Sequence, residues 1–144
     1  MPKHAERRAL PYSAEQMFNL VADVGRYPEF LPWCVATRIR QSTDQVIVAD
    51  MVIGFKVFRE RFTSKVTLLK PDNIKVIYEN GPFKYLNNNW NFISVEDNSC
   101  EIDFYVDFEF RSRILEKAIG MVFTEAVHRM VNAFEKRADV LYKS

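Results

Sequence analysis

Period-two alternation fills the middle of this chain, and helical spacing occupies stretches near both ends. The clearest alternation spans 100–111. Cys100, Ile102, Phe104, Val106, Phe108 and Phe110 take the even positions, while Glu101, Asp103, Tyr105, Asp107, Glu109 and Arg111 take the odd ones. A strand of that kind has one dry face and one wet face. Five more strands are predicted upstream, at 35–41, 46–55, 58–70, 74–79 and 84–95. Turn formers separate them: Asp44-Gln45, Pro71-Asp72-Asn73, Asn80-Gly81 and Asp97-Asn98. Connections this short imply an antiparallel meander. Residues 3–10 alternate less cleanly and read as an edge strand.

Helical signals flank this block. Ser13 reads as an N-cap, Gln16 completes a capping box, and Tyr12 with Met17 fits a hydrophobic staple, so a helix is predicted over 14–21. From 112 to 142 there is no proline and only Gly120. Ile119, Val122, Phe123, Ala126, Val127, Met130, Ala133, Phe134, Ala138 and Leu141 form an apolar stripe, with Glu125, His128, Asn132, Glu135 and Asp139 opposite. This predicts a single helix about 45 Å long, enough to cross a whole sheet. A sheet with one apolar face and a helix with one apolar stripe must cover each other, which gives a two-layer α+β sandwich. A long curved sheet does not close fully on one helix, so a hollow is expected between them.

The connection at 23–34, Asp23-Val24-Gly25-Arg26-Tyr27-Pro28-Glu29-Phe30-Leu31-Pro32-Trp33-Cys34, holds two prolines and three aromatics. Proline neither continues a helix nor donates into a sheet ladder, so this piece is a stiff bend. Its aromatics either plug the core or rim an apolar cavity.

Composition narrows the function. The chain has 144 residues, 48% of them hydrophobic and 27% charged, which fits one globular domain over 1–144. Its net charge of +1 gives no general drive toward nucleic acid, and DNA is not an expected partner. Cys34 and Cys100 make neither a disulfide framework nor a metal cluster. The start is too charged for a signal peptide, and no run of about 18 apolar residues occurs. A cytoplasmic location is expected, with peripheral contact to the inner membrane left open.

Three motifs carry a resemblance. The first is Tyr12-Ser13 through Asp23-Val24 with the following Tyr27-Pro28-x-Phe30-Leu31-Pro32-Trp33-Cys34. The second is Gly81-Pro82-Phe83-Lys84-x-Leu86-x-x-x-Trp90-x-Phe92, and the third is Met130-Val131-x-Ala133-Phe134-Glu135-x-Arg137-Ala138. Together these resemble the coenzyme Q-binding family, whose close bacterial relatives are described as ribosome-association toxins, within the START-like (polyketide cyclase/lipid transport) superfamily. Gly25 and Asn88 depart from the family pattern, and neither touches an obvious binding group.

The resemblance implies a helix-grip fold, a curved antiparallel sheet of six to seven strands wrapped on a long C-terminal helix. It also implies binding of a polyprenylated quinone such as ubiquinone, or a similar hydrophobic small molecule, in the hollow. The protein would then be a carrier or chaperone supporting respiratory electron transport, with no cofactor beyond that ligand and no catalytic turnover. The alternative is a ribosome-association inhibitor that binds the large ribosomal subunit through its surface. A cyclase-like enzyme, taking acid–base groups from Glu60, Asp50 or a tyrosine, ranks behind both.

Parity supplies the candidate wall. Phe104, Val106 and Phe108 share one face of the last strand; Phe58, Phe62 and Val66 share one face of the third; Trp90 and Phe92 share one of the fifth. Met121 and Met130 offer adaptable packing. The candidate ligand-binding residues are Phe30, Leu31, Trp33, Phe58, Glu60, Phe62, Phe83, Trp90, Phe92, Phe104, Phe108, Phe123 and Met130. Most would point inward in any two-layer fold. An indole suits a half-wet boundary, which places Trp33 at a membrane interface or over the hollow as a lid. Glu60 lies on the parity of Phe58 and Phe62, and Asp50 on that of Val46, Val48 and Val52. A buried carboxylate must be paired or protonated, so either orients a head group unless a bulge returns it to water. Arg59, Arg61 and Lys65 share the opposite face of the third strand, and Glu101, Asp103, Asp107 and Glu109 the outer face of the last. His4 and His128 have no metal-site spacing, and no nucleophile elbow or phosphate loop occurs.

Overall fold

The computed structural model describes residues 3–55, 58–120 and 123–142, with the side chains of Phe55, Phe58 and Thr124 excepted. Strand β1 (Lys3–Leu10) leads into α1 (Ala14–Ala22) and a 3-10 turn (Val24–Glu29). Then come β2 (Cys34–Ser42), β3 (Val46–Phe55), β4 (Phe58–Leu69), β5 (Asn73–Asn80), β6 (Phe83–Glu96) and β7 (Ser99–Phe110), followed by α2 (Arg113–Gly120) and α3 (Phe123–Tyr142). The strands form one sheet in the order β1-β7-β6-β5-β4-β3-β2. Every adjacent pair is antiparallel. The predicted meander is therefore β2 to β7, and the edge strand β1 pairs with β7 from Lys3↔Asp107 to Leu10↔Cys100. This is the helix-grip, START-like arrangement.

The capping box of α1 is present in both halves: Gln16 N donates to Ser13 Oγ at 3.1 Å, and Ser13 N to Gln16 Oε1 at 2.9 Å. Tyr12 and Met17, the staple pair, are both buried. Helix α1 lies on the sheet through Phe18, whose ring meets Phe92 edge-on at 5.8 Å.

Over 112–142, where a single helix is expected, the described residues are helical in α2 up to Gly120 and in α3 from Phe123, and residues 121 and 122 between them lie outside the described residues. Gly120 is exposed, and an added Cβ there would meet nothing within 4 Å. Helix α2 has its own anchors: Ser112 Oγ accepts from Leu115 N at 3.2 Å, and Glu116 Oε1 accepts from Phe110 N at 3.1 Å. Helix α3, with 20 residues, is about 30 Å long. Leu141, assigned to the apolar stripe, is 50% exposed. Val122 and Met121 lie outside the described residues.

Part of the polar stripe of α3 faces β1 instead of bulk water. Arg8 Nη1 donates to Asn132 Oδ1 at 2.7 Å and to Glu135 Oε1 at 3.1 Å, while Arg8 Nη2 meets Glu6 Oε2 at 2.5 Å. Asp139 accepts from the Tyr12 hydroxyl. The imperfect alternation of 3–10 thus reflects a strand whose inward residues His4, Glu6 and Arg8 form a polar seam against the helix.

Asp50 does not face the hollow. Its neighbours Ala49 and Met51 take the inner side of β3, which turns Asp50 outward. It is still only 3% exposed, because Arg40 Nε donates to it at 2.7 Å and Thr63 Oγ1 at 2.6 Å. A register shift between Ile39 and Gln41 frees Arg40 to reach it. The Thr63 hydrogen bond, followed by the Arg40 contacts, holds this carboxyl below the usual carboxylate range.

Candidate functional site: an apolar cavity under the sheet

The sheet and helices enclose a cavity of about 270 Å³. Small-molecule sites run from roughly 300 to 1,000 Å³, so this one falls just below that range. Every strand from β3 to β7 contributes inward residues, and α1, α2, α3 and the 23–34 connection supply the rest. Its most enclosed wall is entirely apolar: Val21 and Ile74 are 1% exposed, Phe104 1%, Phe134 2% and Trp90 3%. Trp90 is edge-on to both Phe104 (4.7 Å) and Phe134 (5.0 Å), which ties β6, β7 and α3 together.

Toward the β3–β4 hairpin the wall is formed by Trp33, Gly54 and Glu60, all half-buried. Trp33 bridges the two layers: its carbonyl accepts from Gly54 N at 2.9 Å, and its indole Nε1 donates to Ala126 O at 3.2 Å. The two prolines stiffen the chain on either side of Phe30 and Leu31, so the bend delivers Leu31 and Trp33 to the same opening.

Of the thirteen candidate residues, ten line this cavity: Leu31, Trp33, Glu60, Phe62, Phe83, Trp90, Phe104, Phe108, Phe123 and Met130. Phe30 does not. It packs edge-on to Phe134 at 5.3 Å and Tyr27 at 6.0 Å, beneath the Arg137 guanidinium at 5.1 Å. The hydrogen bond from Phe30 N to Tyr27 O tightens the turn, and the ring backs Phe134 instead of lining the cavity itself. Phe92 is also off the wall, because α1 covers its end of β6 through Phe18. The Phe58 side chain lies outside the described residues.

Parity reasoning passed over two polar wall residues. Asn88 lines the cavity, where its Oδ1 accepts from Trp90 Nε1 at 3.0 Å and its Nδ2 donates to Tyr105 O at 2.9 Å. The expectation that Asn88 touches no binding group is therefore corrected: it sets the indole that forms the floor. Its signal was the parity it shares with Trp90. Ser64 likewise shares the parity of Phe62 and Val66, lines the cavity and is 4% exposed. Tyr27 also borders the space; its hydroxyl donates to Val21 O, and burial pushes its pKa up.

The outer face of the sheet is divided by charge. On β7, Glu101 and Asp103 meet Arg7 at 3.0 and 3.5 Å, and Glu109 meets Lys84 at 3.0 Å. On the opposite wing, Arg38, Arg40, Arg59, Arg61, Lys65 and Lys75 are exposed. Among the described residues the only ion pair on that wing is Arg40–Asp50.

Among the described residues no cluster of histidine, cysteine and acidic side chains could hold a metal ion. Cys34 and Cys100 are buried and free, and burial pushes the Cys34 thiol up to about 11. No described helix is long and apolar enough to cross a membrane.

Comparison with known proteins agrees with this geometry. The ribosome association toxin RatA of Rickettsia prowazekii is 39% identical over 140 residues, covering 94% of this chain and 95% of that protein. The coenzyme Q-binding protein COQ10 homolog B, mitochondrial, of Xenopus laevis is 33% identical over 144 residues, covering 97% of this chain and 59% of that protein. The solution structure of an 18 kDa protein from Caulobacter crescentus superposes with a TM-score of 0.78 at 33% identity, covering 100% of both chains. Residues 10–135 match the family described as polyketide cyclase / dehydrase and lipid transport, and the chain belongs to that family.

Proposed function

We propose that this protein binds a polyprenylated quinone such as ubiquinone in the cavity and acts as its carrier or chaperone in support of respiratory electron transport. The observation that carries the reading is a cavity walled by aromatic and aliphatic side chains, with Glu60 as the only carboxylate on its described wall. The name of the Xenopus relative supports the ligand class. Each methylene withdrawn from water contributes about 0.8 kcal/mol, so a prenyl tail is insoluble in water yet already at ease in a bilayer. An oily cavity makes exchange with the bilayer nearly balanced, which permits both capture and release. Nothing in this reading requires turnover or a cofactor besides the ligand. The test is mass spectrometry of the organic extract of protein purified from its native host. Co-purifying quinone is expected; an extract without quinone, together with no binding on reconstitution, refutes the reading.

A second reading rests on the basic wing of the outer face. The Rickettsia relative is named for ribosome association, and six exposed cations on adjoining strands suit the phosphates of ribosomal RNA. The two readings use opposite faces of the sheet and are compatible. The surface reading predicts co-sedimentation with the large ribosomal subunit, and absence of co-sedimentation at excess protein removes it.

A further inference from the structure

The inner face of β4 presents Glu60, Phe62, Ser64 and Val66 to the cavity. Ser64 stands out among the polar groups on that wall. The Asn88 amide, the indole nitrogens of Trp33 and Trp90 and the Tyr27 hydroxyl all have protein partners. Glu60 is half-buried at the open side. Ser64 is 4% exposed, and its hydroxyl makes no hydrogen bond to any described residue. No fully occluded side-chain oxygen or nitrogen among the described residues lacks a partner, so this hydroxyl is not sealed in the packing: it opens onto the cavity it lines.

Buried hydroxyls are normally satisfied, and leaving one without a partner is unfavourable. Bound water is a poor solution here. A buried water needs two to four polar partners, whereas Ser64 is flanked along its strand by Phe62 and Val66 and faces Ala49 across β3. On its other side Tyr78 pairs with it in register, and the Tyr78 oxygen already accepts from Phe83 N at 3.2 Å. The Asn88 amide already makes two hydrogen bonds, one at each end.

We infer that the Ser64 hydroxyl is the anchor of the ligand site, donating a hydrogen bond to a carbonyl oxygen of an otherwise apolar guest. This deepens the cavity reading and rests on it. A single donor in an oily wall fixes orientation and favours a carbonyl compound over a hydrocarbon of the same shape, because only the former satisfies the hydroxyl.

The experiment uses the full chain and two probes: ubiquinone with two prenyl units, and the matching arene in which both carbonyl carbons are replaced by ring C–H. Calorimetric titration should show that Ser64→Ala weakens quinone binding by about two- to twelvefold, the span of one net hydrogen bond, while arene affinity changes by less than about twofold. The infrared carbonyl band of bound quinone should lie lower in the wild type than in Ser64→Ala. The ligand-free variant should be at least as stable as the wild type, since it loses an unsatisfied group, whereas a purely structural serine would lose stability. Equal losses for both probes, or an unchanged carbonyl band and unchanged quinone affinity, overturn the anchor. If the wild type binds the arene as tightly as the quinone, the anchor falls and the cavity reading stands. If it binds neither probe, the cavity reading falls, and the anchor with it.

Discussion

Val106 and Ile102 lie on the same face of the same strand and are both buried, at 8% and 3% exposure, yet only Val106 borders the cavity. Replacing each with phenylalanine should therefore have opposite consequences. Val106→Phe adds four carbons that project into open apolar space. At about 0.8 kcal/mol per buried methylene, the ceiling on stabilisation is about 3 kcal/mol, reduced by the entropy of fixing the ring. The expected result is a ligand-free protein as stable as the wild type or up to about 3 kcal/mol more stable. Ile102→Phe enlarges a side chain where there is no such space, and overpacking of that kind costs about 1–3 kcal/mol. Urea unfolding of both variants, with unchanged slope, gives the comparison. Titration with short-tailed ubiquinone gives the second readout: Val106→Phe should lose at least tenfold in affinity because the ring occupies ligand space, an effect of about 1.4 kcal/mol. If Val106→Phe destabilises as much as Ile102→Phe and leaves binding intact, the wall beside Val106 does not border usable space, and the reasoning fails.

The outer-face clamp predicts a pH signature. Asp50 has a depressed carboxyl pKa in the fold, so its contribution is present above the ordinary value of 3.8 and disappears as pH falls through its lower folded value. Asp50→Asn should cost about 1–3 kcal/mol at pH 7 through weakened bonds to Arg40 and Thr63, with the gap closing at more acid pH; a gap in urea unfolding that is independent of pH contradicts this. Gly81 has φ of +145°, and a Cβ there would sit 2.6 Å from Phe62 Cβ and 2.9 Å from Arg61 O. Gly81→Ala should lower stability by more than about 1 kcal/mol and weaken ligand binding through Phe62, and unchanged thermal unfolding argues against that packing. Charge reversal of Arg59, Arg61 and Lys65 should abolish co-sedimentation with the large ribosomal subunit while quinone affinity stays within twofold. Loss of quinone binding in that triple variant would break the claimed separation of the two faces.

Most of the fold was legible because its signals are local. Alternation at 100–111 placed β7 to within a residue, and Ser13 with Gln16 located α1. Parity placed Glu60, Phe62, Trp90, Phe104 and Phe108 on the wall because a strand's facing is fixed once one neighbour is placed, while the aromatic connection, the Gly81-Pro82-Phe83 motif and the helical stripe supplied the other five. It misplaced Phe92 because parity tells inward from outward, not which inward residues another element covers; α1 covers that one. Phe30 failed for a related reason, since a 3-10 turn has no simple two-residue period. Asp50 looked like a cavity group because it shares the apolar parity of Val46, Val48 and Val52, but β3 is apolar on both faces and that parity is the outer one, where a bulged arginine buries the carboxylate. Ser64 and Asn88 were overlooked because polar residues on an apolar parity read as exceptions. Only the enclosing wall shows that they join Glu60 as polar groups lining the cavity.

The central claim is that the space between the sheet and α3 admits a foreign apolar molecule. Its most direct test is a titration of ligand-free, isotope-labelled protein with short-tailed ubiquinone, followed by nuclear magnetic resonance of the side chains. Saturable one-to-one shifts at Trp90, Phe104 and Phe134, with Arg59, Arg61 and Lys65 unmoved, are the predicted result. Saturation without shifts at those three rings, or no saturation at all, contradicts the account.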